Sequence, residues 1–481
     1  MSDDARHGSD DAGGEAPVFA VVGRINKGKS SIVSTLAEDE SVRVDRVPGT
    51  TRECQRLHVR VEGRVLLTIV DTPGFEDAPR VLRRLQDQEG SAASRPAVVE
   101  AFVRKFKDSG EFAEECRLLE PVLGGAGILY VVDASKPYRP NYEAEMEILQ
   151  WTGRPRMALI NAIGNADHVE EWRRALDQYF SLVRVFDAHN SVFEDRLALL
   201  RAFRELREDS RLAIGRAIAD LEADWDRRRR RAAGVISDLL VDAVSYYEDH
   251  ALGDDEEVGD RADRWLETLY EALRDRERRE RTAIEDLYRH ERIERHESEL
   301  ARPVFDEDLF AETGWRVLGL SAWQLVRAGA LAGAAVGGAV DLSVGGTSFL
   351  TGTVIGSLVG GVTSYLGGRR IAQVKILGQR MGGKVARVGP VQNDNFPWIV
   401  FDRALLHYRS IIVRPHARRE ALVLEHEATG VSGRGPVAAL DDATRYRFGG
   451  LFTEMRDAVD AVPRDVRDRL EDEVLKILEL D

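Results

Sequence analysis

The feature that most constrains this chain is the octapeptide Gly-Arg-Ile-Asn-Lys-Gly-Lys-Ser at residues 23–30. It follows the apolar run Val18–Val22 and leads into residues 31–36, whose composition suits a helix. Phosphate binding requires this order of strand, loop and helix, because loop N–H groups and the positive end of the helix dipole then converge on one anion. A glycine-rich turn that binds nothing is the alternative, since the octapeptide also recurs by chance in unrelated chains.

Each residue type in this loop has a chemical reason to be there. Gly23 and Gly28 let the chain curl so that successive N–H groups point at phosphate oxygens. Lys29 would reach the β- and γ-phosphates of a nucleotide, and the Ser30 hydroxyl would ligate Mg²⁺. The loop residues that we expect to bind the nucleotide are Gly23, Asn26, Lys27, Gly28, Lys29, Ser30 and Ser31.

A carboxylate that can organise the metal follows at the end of a later predicted strand. The apolar segment Leu57–Val61 turns at Glu62 and Gly63 into a second apolar run, which predicts a hairpin and one antiparallel strand on a mostly parallel sheet. The second run leads directly into Asp71, followed by Thr-Pro-Gly. The sequence therefore predicts an α/β nucleotide-binding domain with an antiparallel edge strand, followed by a mainly α-helical domain.

Three motifs carry a resemblance to a known family. Gly-x-x-Asn-x-Gly-Lys-Ser, then Gly-Thr-Thr-Arg, then Asp-Thr-Pro-Gly resemble, in this order and spacing, the Era/TrmE class of bacterial P-loop GTPases. The resemblance implies GTP as substrate and Mg²⁺ as cofactor. It implies that Thr51 ligates the metal when GTP is bound, that Asp71 holds it through a water, and that the Gly74 N–H senses the γ-phosphate. Lys29, Thr51, Asp71 and Gly74 are the expected catalytic residues.

Two further positions bear on the rate of hydrolysis. Asn26 occupies the position at which potassium-activated members of this class hold K⁺ near the phosphates; the alternative is a turn-forming residue with no ion. Phe75 follows Gly74, where Ras-like proteins carry the glutamine that orients water. The resemblance therefore implies slow intrinsic hydrolysis, unless K⁺ or formation of a homodimer supplies the missing help.

The guanine-binding end departs from the family pattern. The family's Asn-Lys-x-Asp, whose aspartate accepts both guanine N–H groups, is replaced by Asn161 followed by Ala-Ile-Gly. In the loop that would brace the base, Ala188 alone matches the family's Ser-Ala-Lys. Asp167 could take over the missing role, or could cap the helix predicted from His168 to Phe180. The choice between GTP and ATP stays open at this point, with GTP favoured by the other motifs.

Composition divides the rest of the chain. Residues 1–16 are acidic and small, which predicts a disordered leader, and residues 17–190 form the predicted nucleotide-binding domain with a helical insertion at about 77–120. Residues 191–327 are densely charged with helical periodicity, and their part up to residue 300 carries no strand signal. Residues 369–481 are basic and then helical, with a turn predicted at 395–398 before a helix at 401–412.

Overall composition sets broader limits. The 481 residues suffice for several domains, and the two cysteines, far apart and without metal-ligand spacing, fit a reducing cytosol. The net charge of −15 disfavours wholesale binding to nucleic acid.

Residues 328–368 differ from everything else in the chain. Between Arg327 and Arg369 the only formal charge is Asp341, and glycines recur every fourth residue from 329 to 337 and from 352 to 360. Such rows let two apolar helices approach closely, which predicts a helical hairpin of the glycine-zipper type. The first arm, 328–340, has thirteen residues and is too short to span a bilayer, so we expect partial insertion. A hairpin buried among soluble helices is the alternative.

The segment after the hairpin is basic. Residues 369–419 carry eleven Lys and Arg against two Asp, which fits contact with anionic lipid headgroups, with RNA as the competing ligand. The C-terminal half resembles an uncharacterised helical domain that is fused to Era-like GTPases. We therefore expect a cytoplasmic GTPase that lies at, or partly inserts into, the inner membrane. The alternative function is a nucleotide-gated module that binds a protein or RNA with little or no turnover.

Overall fold

The computed structural model describes the following residues: 16–24, 27–38, 53–88, 91–162, 167–188, 190–206, 208, 210–252, 261–290, 293, 295–296, 374–378, 384–391, 393–416, 418, 422–423, 435–458 and 461–480. The chain divides into two compact units. The first comprises Met1–Asp226, Arg289–Arg292 and Ile412–Arg419. The second comprises Arg227–Tyr288, Ile293–Ile411 and Glu420–Asp481.

The first unit is built on a six-stranded sheet. Its strands are β1 Val18–Val22, β2 Gln55–Val61, β3 Arg64–Asp71, β4 Gly127–Asp133, β5 Arg156–Asn161 and β6 Val183–Phe186. Its helices are α1 Lys29–Ala37, α2 Ala78–Gln86, α3 Arg95–Phe106, α4 Ala113–Leu123, α5 Glu143–Trp151, α6 Val169–Leu176 and α7 Phe193–Leu206, followed by α8 Arg211–Ser245, which continues into the second unit.

The sheet has the order β2-β3-β1-β4-β5-β6. The strand β2 runs antiparallel to β3, and all the other neighbours are parallel. The predicted fold class is therefore confirmed, including the single antiparallel edge strand. In this order β1 lies between β3 and β4, so the chain builds one side of β1 with β2 and β3 and the other side with β4 to β6. The carboxyl end of β1 therefore lies where the strand order reverses, which is where α/β sheets bind ligands.

The core of this unit lies on both faces of the sheet. Ala20 and Val22 point into a cluster formed with α2 to α6, whereas Phe19 and Val21 point into a second cluster formed with α1, α7 and the start of α8. Because β1 is covered on both faces, it is apolar along its whole length rather than alternating. The helices α2, α3 and α4 occupy the chain between β3 and β4.

The second unit is mostly helical and contains small sheets. Its further elements are β7 Glu248–Leu252, α9 Arg261–Leu287, β8 Arg295–His296, β9 Val374–Gly378, β10 Lys384–Val388, α10 Phe396–Ile412, β11 Leu422–Val423, α11 Asp442–Asp457 and α12 Arg464–Leu478. The strands β7, β10 and β9 form an antiparallel sheet with β10 in the centre. Polar contacts join its helices, including a buried hydrogen bond between His407 and Glu285 at 3.1 Å and a partly buried ion pair between Arg403 and Glu277 at 2.6 Å.

Two local expectations for this part of the chain were wrong. The strand β7 lies in a region that shows no strand signal, because its partner β10 follows more than a hundred residues later and local pattern does not reveal such pairing. The helix α10 begins at Phe396, where the sequence suggested a turn. Pro397 is compatible with this start, since the first turn of a helix does not use its N–H groups for intrahelical bonds.

The glycine-rich segment 328–368 lies outside the described residues. Among the helices that the structure does describe, none combines the length and the apolar character needed to cross a bilayer.

Candidate functional site

The loop after β1 has a backbone that favours glycine at two points. Gly23 has φ +144°, and a Cβ built on it would lie 2.5 Å from the carbonyl oxygen of Val131 in β4. Gly28 has φ 80° and ψ 21°, in the left-handed region, and is the N-cap residue of α1. These geometries place the chain against the end of β4 and turn it into the helix. Asn26 lies outside the described residues.

Lys29 is folded back onto this loop. Its Nζ donates hydrogen bonds to the carbonyl oxygens of Gly23 at 3.2 Å and Arg24 at 2.8 Å, and the residue is 7% exposed. Burial lowers the pKa of Lys29 to about 8, and the nearby carboxylates of Asp71 and Glu145 oppose that change. A cationic donor is thus held at the N-terminus of α1, within a loop whose N–H groups attract anions.

Ser30 and Asp71 meet at the carboxyl ends of β1 and β3. The Ser30 hydroxyl donates to Asp71 Oδ2 at 2.8 Å, and Asp71 is 2% exposed. A hydroxyl and a carboxylate in contact fit the oxygen-ligand preference of Mg²⁺. The structure therefore brings together Lys29, Ser30 and Asp71, whereas Thr51 lies outside the described residues. Ser31, the next residue of α1, is buried.

The loop after Asp71 is docked on the phosphate loop. The Thr72 hydroxyl donates to the carbonyl of Val21 at 2.8 Å, and the Phe75 N–H donates to the carbonyl of Gly23 at 3.3 Å. The Phe75 side chain is buried among the helices on that face of the sheet. Gly74 lies between these two attachments, beside the loop that holds Lys29. The aromatic residue after Gly74 is therefore part of the core.

At the carboxyl ends of β4 and β5, Lys27 and Asn161 come together. Asn161 is fully buried, and its Nδ2 donates to the carbonyl oxygen of Lys27 at 3.2 Å. The Lys27 ammonium lies 3.5 Å from Asp133 Oδ2 at the end of β4. The carbonyl of buried Ala188 accepts a hydrogen bond from Thr35 of α1 at 3.0 Å. Residues 163–166, which follow Asn161, lie outside the described part of the chain.

Asp167 is not the capping residue that the sequence suggested. The helix α6 begins at Val169, with His168 at its N-cap position.

Sequence reasoning missed a second anchor of the phosphate loop. Arg24 Nε donates to Glu145 Oε1 of α5 at 2.5 Å, the Tyr130 hydroxyl donates to Glu145 Oε2 at 3.0 Å, and the Arg24 guanidinium lies 4.3 Å from the centre of the Tyr142 ring. Glu145 is fully buried, and burial raises its pKa to about 7 against the opposing effect of Arg24. Since Tyr142 and Glu145 each lie more than a hundred positions after Arg24 in the chain, no local sequence pattern could have revealed their contacts with it.

Two family models match the chain. The model described as "50S ribosome-binding GTPase" matches residues 18–162, which contain the phosphate loop, Asp71 and Asn161. The model described as "Domain of unknown function (DUF3482)" matches residues 173–458. These matches confirm the family resemblance inferred from the motifs, with a P-loop GTPase domain followed by a separate, uncharacterised C-terminal domain.

Curated relatives match part of the chain. The tRNA modification GTPase MnmE of Bacillus pumilus is 22% identical over 232 residues, which are 47% of this chain and 49% of that protein. The GTPase Era of Acidimicrobium ferrooxidans is 43% identical over 84 residues, 17% of this chain and 29% of that protein. The chain thus spans about half the length of the MnmE relative, and less of Era.

Among solved structures, a crystal structure of Aquifex aeolicus Era bound to GDP and AlF₄⁻ is 16% identical, with a TM-score of 0.27. The match covers 54% of this chain and 87% of that one.

Proposed function

Because the chain belongs to the DUF3482 family and carries a P-loop GTPase domain in front of that region, we propose that it is a Mg²⁺-dependent switch protein that binds and hydrolyses GTP. The observation that carries this proposal is the cluster of Lys29, Ser30 and Asp71 on a strand-loop-helix unit. The cluster joins a cationic donor, a hydroxyl and a carboxylate at the site where α/β sheets bind nucleotides.

The proposed roles follow from the chemistry of these groups. Mg²⁺, when bound by Ser30 and Asp71, would neutralise charge on the phosphates. Lys29 would exchange its two carbonyl acceptors for phosphate oxygens, which are stronger acceptors because they are charged. The Gly74 N–H would donate to the γ-phosphate, and Thr51 would complete the metal site on the GTP-bound side. Hydrolysis then depends mainly on positioning and charge stabilisation, as in other phosphoryl transfers.

Guanine is the proposed base, although the family's aspartate is absent. In this proposal Asn161 keeps the base end of the phosphate loop in place through the Lys27 carbonyl, and Ala188 contributes to the wall of the base site. The GTPase family model covers residues 18–162, which include Lys27 and Asn161 but not Ala188, and this supports GTP over ATP.

We propose K⁺ at Asn26 as the element that compensates for Phe75. Since the Phe75 side chain has no hydrogen-bonding group and is buried, it cannot orient a water molecule as a glutamine does. A cation near the phosphates would stabilise the developing charge instead. We expect turnover in K⁺ to exceed that in Na⁺, and Asn26→Ala to abolish the difference.

Light scattering with GTP and GDP would test whether a homodimer forms in the GTP-bound state.

Replacing Lys29 by alanine tests the proposed activity most directly. We expect Lys29→Ala to lower GTP turnover by at least about 100-fold, because one preorganised donor to transition-state charge contributes that much. Asp71→Asn should raise the Mg²⁺ concentration needed for half-maximal turnover. Lys107→Ala, which removes an exposed lysine far along the chain, is the matched control. Unchanged turnover in Lys29→Ala would refute the proposal.

For the C-terminal half we propose membrane engagement. The supporting observations are the uncharged, glycine-patterned segment 328–368 and the basic segment 369–419 after it. The protein would then lie at the cytoplasmic face of the inner membrane, with its nucleotide state controlling insertion. Co-sedimentation with liposomes that contain anionic lipid should require residues 328–368. Equal co-sedimentation after their deletion would refute this part of the proposal.

A second function is favoured by the altered base motif and by Phe75. The altered motif weakens the reading of the base, and Phe75 lowers the expected rate of hydrolysis, so a protein that binds nucleotide with negligible turnover, and uses its helical half to hold a protein or RNA partner, is the alternative. Stoichiometric GTP binding without steady-state turnover, in K⁺ as well as in Na⁺, would favour this alternative.

A further inference from the structure

The start of α2 is held by a carboxylate from another helix. Glu115, in the first turn of α4, is 2% exposed. Its Oε1 accepts hydrogen bonds from the backbone N–H of Glu76 at 3.0 Å and of Asp77 at 2.7 Å. Asp77 is the N-cap residue of α2, and its side chain accepts from the Arg80 N–H at 3.2 Å. A helix of the insertion thus satisfies two N–H groups immediately before the first turn of α2, where no intrahelical acceptor is available.

Two neighbours of Glu115 strengthen the same attachment. Arg80 of α2 donates to Glu111 at 2.6 Å, and its guanidinium lies 5.0 Å from the centre of the Phe112 ring. Phe112 has φ 59°, and its ring packs against those of Phe102 and Phe106 of α3 at 5.3 Å and 5.2 Å. The beginning of α4 is therefore fixed both to α2 and to the aromatic core of the insertion.

The other end of the same loop is attached to β1, because the Thr72 hydroxyl donates to the carbonyl of Val21 at 2.8 Å. Gly74 lies between this bond and the two bonds to Glu115, directly before Phe75, whose N–H donates to the carbonyl of Gly23 at 3.3 Å. Within the described part of the chain, no acceptor is found for the Gly74 N–H. The loop thus has fixed ends, and between them it presents the Gly74 N–H, which donates to the γ-phosphate in the proposed function.

We propose that Glu115 is a positioning residue for GTP hydrolysis, acting through the Glu76 and Asp77 amides to hold Gly74 in place. This inference rests on the proposed function. A carboxylate suits the task, because its bonds to N–H groups are charge-assisted and the N-terminal ends of α2 and α4 both favour negative charge. The inserted helices then form part of the catalytic apparatus instead of decorating the domain.

The test compares Glu115→Ala, Glu115→Gln and the control Glu120→Ala, which removes an exposed carboxylate from the same helix. We expect Glu115→Ala to lower kcat for GTP at least about tenfold while GDP affinity stays within twofold, because GDP lacks the γ-phosphate. Glu115→Gln keeps an acceptor oxygen and should recover part of kcat. Glu120→Ala should behave as wild type. A kcat within twofold of wild type in Glu115→Ala would overturn the inference, as would equal losses of kcat and GDP affinity.

A second measurement keeps the inference separate from the proposed function. Hydrogen–deuterium exchange of peptides that contain Glu76 and Asp77, in nucleotide-free protein, should be faster in Glu115→Ala than in wild type and unchanged in Glu120→Ala. If wild type does not hydrolyse GTP, the proposed function fails and the role of Glu115 in hydrolysis fails with it. Faster exchange would then show a purely structural attachment, and unchanged exchange would refute the attachment as well.

Discussion

Replacing Glu145 by glutamine should change how the stability of the protein depends on pH. Glu145 is fully buried under the phosphate loop, where it contacts Arg24 and Tyr130. Burial raises its pKa from 4.5 to about 7, whereas Arg24, Tyr130 and Lys29 act in the opposite direction. Ionised Glu145 is therefore less favourable in the folded protein than in the unfolded chain, despite its arginine partner.

The magnitude follows from proton linkage. A carboxyl whose pKa is higher in the folded state contributes stability that is fully present below the unfolded pKa and is lost as the pH rises through the folded pKa. With a rise from 4.5 to about 7, the free energy of unfolding should fall by about 2.5 kcal/mol between pH 5 and pH 8.5 from this group alone. Glutamine cannot ionise, so Glu145→Gln should lack this component.

Urea unfolding of both proteins at several pH values measures this effect, with far-UV circular dichroism as the signal. Groups that the two proteins share cancel in the difference between their unfolding free energies. That difference should shift by about 2.5 kcal/mol in favour of Glu145→Gln from pH 5 to pH 8.5. Glu143→Gln, an exposed position on the same helix, is the matched control, and a shift of the same size there would mean that the effect does not arise from the burial of Glu145. A difference that stays constant with pH in Glu145→Gln would refute the raised pKa.

Two further substitutions test the geometry of the site. Gly23→Ala should destabilise the first unit by more than about 2 kcal/mol and abolish nucleotide binding, because its Cβ would collide with the carbonyl of Val131. Thermal unfolding measures this loss, with Gly63→Ala as the control. At Gly63 φ is also positive but nothing lies within 4 Å of the added Cβ, so the loss of stability should stay at about 1 kcal/mol. Asn161→Ala should weaken GDP binding about tenfold by releasing the carbonyl of the phosphate loop, and calorimetric affinities equal to wild type would contradict this.

The local elements around the phosphate loop could be predicted because their patterns are local. Buried parallel strands are apolar throughout, and the loop and hairpin carry glycines at required turns, as at Gly28 and Gly63. The sequence therefore identified the sheet, the strand-loop-helix unit and the carboxylate at Asp71. Ser30 and Asp71, which the sequence assigned to one Mg²⁺ ion, lie in contact in the structure.

The contacts that fix the site could not be predicted, because they join distant residues. Nothing near Glu145 or Glu115 indicates that each is buried against a loop more than thirty residues away. The sequence placed Lys27 in the nucleotide-binding loop, but no local pattern indicates that its ammonium lies beside Asp133. The sequence analysis missed the strand β7 for the same reason, since its partner β10 is distant in the chain. The metal-binding role of Thr51 and the helical hairpin at 328–368 remain predictions.

Affinity and turnover for GTP and ATP, measured side by side with Mg²⁺ in K⁺ and in Na⁺, test the central claim most directly. We predict GTP-selective binding and turnover that K⁺ stimulates and Lys29→Ala abolishes, since Lys29, Ser30 and Asp71 form one site. Equal use of ATP would contradict guanine recognition at Asn161. Absence of binding to either nucleotide would contradict the site itself.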